Sequence, residues 1–203
     1  MAVRGASVLA PAAAVIAVFP LLVILLAAAS PGTPAPAAGG AGNLAGLPTA
    51  LAETDIPADY LTWYISAAQT CPGLPWPVLA GIGKVESDHG RSALPGVRSG
   101  ANAAGAEGPM QFLPRTFAEY AVNADPGQPL SPYDPADAIY TAARMLCADG
   151  ARGGSTAGIK QAILAYNHAS WYVTEVLSWA ARYASPGGSA TAVPLPADMA
   201  SRP

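Results

Sequence analysis

Between residues 58 and 183 apolar positions recur at steps of three and four, the repeat of helices with one face turned inward. "ADYLTWYISAAQTC" sets Tyr60, Trp63, Tyr64 and Ala67 at that spacing. "PWPVLAGIGKVESDHG" opens on prolines, which suit a first helical turn, and reaches a stop signal at Gly90. "LPRTFAEYAV" predicts a third helix. In "DPADAIYTAARMLCADG" Asp134 caps, Pro135 fits the first turn, and Ile139, Ala142, Ala143 and Leu146 make an apolar face. "STAGIKQAILAYNHA" follows with Ser155 or Thr156 as its cap, and "SWYVTEVLSWAARY" is the sixth. Alternating β-branched runs of strand length are absent, so the expected fold class is mainly α. "RSALPGVRSGANAAGAEGPM" breaks the pattern with a long Gly/Ala-rich insert, the kind of segment that serves as a binding loop.

The flanks have a different texture. Val8 to Ala29 is one apolar run of 22 residues, enough to span a bilayer as a helix, and Arg4 is the only charged side chain before Glu53. A cleaved signal has a shorter apolar region and a small-residue site, for which Ala27-Ala28-Ala29 or Ala35-Pro36-Ala37 would serve. An uncleaved signal anchor, N-terminus inside, is favoured over a cleaved signal. Both place the rest of the chain outside the cytoplasm, either anchored by a single pass or secreted. The expected layout is a signal anchor or signal peptide over 1–30 and a flexible Pro/Ala/Gly linker over 31–50. A helical core over 51–184 follows, then a disordered tail over 185–203.

Charge narrows the partners. Charged residues are 11% of the 203, the net charge is −3, and no Lys/Arg run occurs. That gives no electrostatic case for nucleic acid and fits a neutral or polar substrate. Beyond an export segment, Cys71 and Cys147 most simply form one disulfide, the alternative being two buried thiols. It would close a loop worth about 4–5 kcal/mol by chain entropy. These cysteines with His89 and His168 have no metal-site spacing, so neither metal nor cofactor is expected.

The chemistry starts from "KVESDHGRS". At about 100° per residue, with Leu79 at zero, Ile82 falls near 300°, Val85 near 240° and Glu86 near 340°. Glu86 therefore sits within the apolar stripe, while Lys84 faces away. Desolvation there raises a carboxyl pKa and suits a general acid near neutral pH. The plainer reading pairs Glu86 with Lys84 or Arg91. Asp88 and His89 are expected to end the helix and satisfy free backbone groups. "GAEGPMQFLPRTF" adds Gly105 and Gly108, which let backbone approach a ligand, and Gln111, with donors and acceptors for a polar substrate. "ILAYNHA" ends an apolar helix on Tyr166 and Asn167.

Taken in order, "LAGIGKVESDHGRS", "GAEGPMQFLPRTF", "YDPADAIYTAARML" and "AYN" resemble the soluble lytic transglycosylase (SLT) domain of the goose-type lysozyme-like superfamily. The resemblance covers residues 58–183 and implies a lysozyme-like helical domain. It implies Glu86 as the sole catalytic acid/base and Ser87 as a residue orienting the sugar. Gly108, Met110 and Gln111 would line the glycan groove, Tyr166 would hydrogen-bond the catalytic carboxyl, and Asn167 would support substrate. The implied partners are peptidoglycan glycan strands, and the membrane if the N-terminal segment stays uncleaved. The implied reaction cleaves the MurNAc–GlcNAc β-1,4 bond with acetamido assistance and closes a 1,6-anhydro ring. A hydrolytic muramidase and an idle wall-binding scaffold are the competing readings. His168 and Ala169 depart from the family's usual Ala-Gly after Asn167.

Overall fold

The computed structural model describes residues 46–184. The expected anchor or signal, the linker up to residue 45 and the tail from 185 lie outside the described residues. Among the described residues, no helix is long and apolar enough to cross a membrane, and no β-strand forms.

Seven α-helices are described: α1 Ala50–Asp55, α2 Ala58–Gln69, α3 Trp76–Ser87, α4 Pro114–Tyr120, α5 Pro135–Leu146, α6 Thr156–Tyr166 and α7 Ser170–Tyr183. The mainly α expectation holds. α1 is the addition: six residues capped by the Thr49 hydroxyl, which accepts from the Ala52 N–H. Asp134 caps α5 by accepting from the Asp137 N–H, and Ser155 caps α6 by accepting from the Gly158 N–H. α5 was expected to run to Gly150. It ends at Leu146 and passes into a π-helical turn, Cys147–Ala151, in which Gly150 takes φ 122°.

α3 is the central helix, and its composition explains why. Residues 76–83 of "WPVLAGIG" are buried all round, so no face is left for water. Two glycines set how closely its neighbours come. A Cβ at Gly81 would lie 2.5 Å from the Val176 carbonyl oxygen of α7, and one at Gly83 1.9 Å from the Tyr64 hydroxyl of α2. α7 answers with a buried stripe of Tyr172, Val176, Ala180 and Tyr183.

The ends are tied down covalently and by hydrogen bonds. Cys71, just past α2, is bonded to Cys147, just past α5, across a sequence separation of 76. Gly46 to Thr49, inside the stretch expected as linker, is also anchored. The Gly46 carbonyl accepts from the Trp76 indole at 2.9 Å, and the Thr49 N–H donates to the Tyr183 carbonyl at 2.9 Å.

Candidate active site

Glu86 lies in the last turn of α3. Leu79 and Ile82, its neighbours on the stripe, are wholly buried, and Glu86 itself is half-buried. Its Oε1 accepts a hydrogen bond from the Tyr172 hydroxyl of α7 at 2.5 Å. Burial pushes the carboxyl up from 4.5 to about 7, and the Tyr172 bond, the smaller effect, pulls the other way. No second carboxylate contributes to that rise. The pairing of Glu86 with Lys84 or Arg91 does not occur. Lys84 Nζ sits 2.8 Å from Asp55 and 2.6 Å from Asp88, and Arg91 Nη2 3.1 Å and 2.8 Å from the same two residues. The cations are committed elsewhere, so no positive charge pairs with Glu86, and near neutral pH a substantial fraction of it carries a proton it can give.

The long loop is fastened beside it. The buried Ser87 hydroxyl donates to the Pro109 carbonyl at 2.6 Å and accepts from the Gly90 N–H at 2.7 Å. Gly108 turns at φ 75°, its N–H donating to Gly96, and a Cβ there would fall 1.7 Å from the Pro132 carbonyl oxygen. The Tyr166 hydroxyl donates to the Met110 carbonyl at 2.8 Å. Gln111 adopts φ 50°, donates to the Gly108 carbonyl and accepts from the Asn102 amide. A half-buried carboxyl under a glycine-rich loop, with a tyrosine holding one oxygen, is a site for proton transfer to a polar substrate.

A family model for the transglycosylase SLT domain matches residues 63–182. The chain belongs to the SLT domain family. Family membership makes it a glycan-cleaving enzyme. Among curated proteins no relative matches. Solved structures with likeness include the Escherichia coli lytic transglycosylase SLT35 in complex with bulgecin A. The same enzyme in complex with calcium is another. Each is 16% identical, with a TM-score of 0.48, covering 64% of this chain and 75% of that one. Likeness at that level says nothing about chemistry.

Several roles expected for the SLT domain residues shift. Tyr166 was expected on the Glu86 carboxyl; Tyr172 makes that bond, and Tyr166 instead holds the loop at Met110. Met110 was expected to line the groove, but its side chain is 0% exposed and joins the core. Ser87, at 2% exposure, bonds backbone on the two sides of the loop rather than facing a sugar. Gly108 serves as a turn. Gln111 and Asn167 are half-buried, and the Asn167 side-chain amide bonds to no other described residue. Among the described residues no three of His, Cys, Asp and Glu are grouped to hold a metal ion.

His89 departs furthest from expectation. The helix predicted to reach Gly90 stops at Ser87, because Asp88 (φ 53°) and His89 (φ 55°) both turn left-handed. That turn drives the imidazole inward, to 1% exposure, between two tyrosines. The Tyr183 hydroxyl donates to Asp55 at 2.6 Å, so its oxygen accepts from His89 Nε2–H at 3.1 Å. Nδ1 is then left to accept from the Tyr64 hydroxyl at 3.1 Å. Burial lowers the imidazole to about 4, which keeps it neutral and matches this single-proton arrangement. Asp55 ends the chain of bonds. Its burial works against ionisation, but hydrogen bonds from Lys84, Tyr183 and Arg91 hold it well below the usual carboxylate range.

Proposed function

We propose that this SLT domain enzyme cleaves the β-1,4 bond between MurNAc and GlcNAc in peptidoglycan and closes a 1,6-anhydro ring on MurNAc. Family membership supports a peptidoglycan lytic transglycosylase in general, acting outside the cytoplasm where that polymer lies. The finer reading assigns the proton traffic to Glu86 alone. The observation that carries it is one carboxyl held near 7 by burial, with no second carboxylate raising it. Most glycosidases need two carboxylates.

In this reading the Glu86 proton goes to the bridging oxygen. The C1–O bond breaks, and the GlcNAc portion leaves with that proton on its O4. The MurNAc acetamido oxygen stabilises the positive charge at C1. The Glu86 carboxylate then takes the proton from the C6 hydroxyl as O6 bonds to C1. Glu86 ends protonated, and no water is consumed. A group that is acid and then base works best with a pKa near the working pH. Tyr172 occupies Oε1 and leaves the other carboxyl oxygen for the substrate.

Gln111 and Asn167 are proposed to bond sugar amide and hydroxyl groups. Ser87, Gly108, Met110 and Tyr166 keep the loop at the right height over Glu86. The proposed layout stays a catalytic domain ending at residue 184, carried on a linker behind a signal anchor or signal peptide at 1–30.

The test is digestion of purified peptidoglycan with mass analysis of the products. The expected product is the anhydro muropeptide, and Glu86→Gln should give none. A product heavier by one water would assign a hydrolytic muramidase instead. Full activity in Glu86→Gln would remove Glu86 from the reaction.

A further inference from the structure

Trp171 opens α7 as its second residue, four positions after Asn167. It is 62% exposed. The other tryptophans are engaged. Trp76 is buried and donates to Gly46, Trp63 is half-buried against Tyr60, and Trp179 lies under Lys84 and Arg182 at 4.9 Å and 4.0 Å. Single exposed apolar residues are ordinary on protein surfaces. Trp171 differs in what its other edge touches.

Four rings form a row. Phe112 of the loop meets Tyr166 at 5.5 Å between centroids, Tyr166 lies parallel to Tyr172 at 6.5 Å, and Tyr172 meets Trp171 edge-on at 5.8 Å. The row begins buried, at Phe112, and ends in solvent, at Trp171. Its third member is the tyrosine that bonds Glu86. The amide of Asn167, at the end of α6 four residues before Trp171, and the Trp171 indole N–H make no hydrogen bond to another described residue. An exposed indole one ring away from the reacting carboxyl, with a spare N–H of its own and an uncommitted amide four residues before it, has the chemistry of a sugar site.

We propose that Trp171 is a stacking platform for a pyranose ring of the glycan strand, forming a subsite that adjoins Glu86 through Tyr172. An N-acetylated β-1,4 hexosamine suits it. Its rings carry axial C–H groups on their faces, which lie flat on the indole. Their rims carry hydroxyl and acetamido groups for Asn167 and the indole N–H. A flat aromatic anchor gives large contact area at low conformational cost. The subsite deepens the glycan-cleaving function proposed above and rests on it for the identity of the ligand.

Binding and turnover can be read separately. Soluble glycan strands freed of stem peptides are titrated by calorimetry into full-length protein carrying Glu86→Gln, with and without Trp171→Ala or Trp171→Phe. KM and kcat are measured in the otherwise native enzyme. Trp171→Ala should weaken binding and raise KM on the order of threefold to tenfold, with kcat reduced less. Trp171→Phe, which keeps a ring, should recover part of the loss. Thermal melts check that each variant is folded. Unchanged binding and KM in folded Trp171→Ala would overturn the subsite while leaving the Glu86 reaction standing. Strands that fail to bind the Glu86→Gln protein at all would overturn it too. Should Glu86→Gln still cleave, the proposed reaction fails, yet a loss of binding in Trp171→Ala would still support the subsite.

Discussion

Replacing Glu86 with Gln should make the protein more stable at alkaline pH while abolishing its activity. The sign follows from the direction of the pKa change. The folded carboxyl titrates near 7 and the unfolded one near 4.5. Below 4.5 both states are protonated and the folded state bears no penalty. As pH rises through 7 the buried group must ionise in a place that burial makes unfavourable, and stability is lost. The interval from 4.5 to about 7, at about 1.4 kcal/mol per pH unit, is worth about 3 kcal/mol above pH 8. Gln is nearly the same shape, bears no charge, and still offers an oxygen to the Tyr172 hydroxyl. Urea unfolding of both proteins, with the disulfide intact, gives the comparison. At pH 4 the two should be nearly equal; at pH 9 Glu86→Gln should be more stable by about 3 kcal/mol. Equal stability at both pH values would refute the burial account of Glu86, whatever the activity shows.

Tyr172→Phe removes the bond that lowers the Glu86 pKa. The alkaline limb of the kcat/KM profile should therefore move up by about one pH unit; a limb that stays or moves down contradicts the assignment. Gly108→Ala forces φ 75° on a residue with a Cβ that meets the Pro132 carbonyl. It should cost more than about 1 kcal/mol in urea unfolding, and no loss would mean the loop turns differently. His89→Leu leaves the buried Tyr64 hydroxyl without its partner while Tyr183 keeps Asp55. Thermal melts should register a loss of about 1–3 kcal/mol, and an unchanged midpoint would show the imidazole to be dispensable.

Periodicity carried most of the fold, because the apolar spacing of α2 to α7 is a local signal, and the Asp134 and Ser155 caps of α5 and α6 are local too. α1 escaped it: six residues cannot display a repeat, and only its Thr49 cap hints at it. The position of Glu86 was legible for the same reason, since the helical wheel depends on nothing outside α3. Its partner was not. Tyr172 and Tyr166 flank the same turn, and the order of motifs favoured Tyr166. A signal did exist, because Tyr172 heads the inward stripe with Val176, Ala180 and Tyr183. His89 had none. Its partners come from residues 64 and 183, and its inward turn depends on two non-glycine residues adopting left-handed backbone. Ser87 and Met110 were placed at the sugar by the resemblance to the SLT domain, and a motif does not say which way its side chains turn: both are buried.

The bond between Cys71 and Cys147 encloses a particular portion of the enzyme. Glu86, the long loop and Gln111 lie between the two cysteines; Tyr166, Tyr172 and Trp171 lie beyond them. Residues 98–101 and 103–104 of that loop are exposed, as proteolytic targets usually are. A single cut there separates Glu86 and Gln111 onto different fragments, yet the fragments remain one covalent molecule. The helices on both sides stay buried against each other. Outside the cytoplasm, where secreted proteases are met, one nick leaves the acid and its tyrosine still in register. Only a cut followed by reduction lets the pieces part.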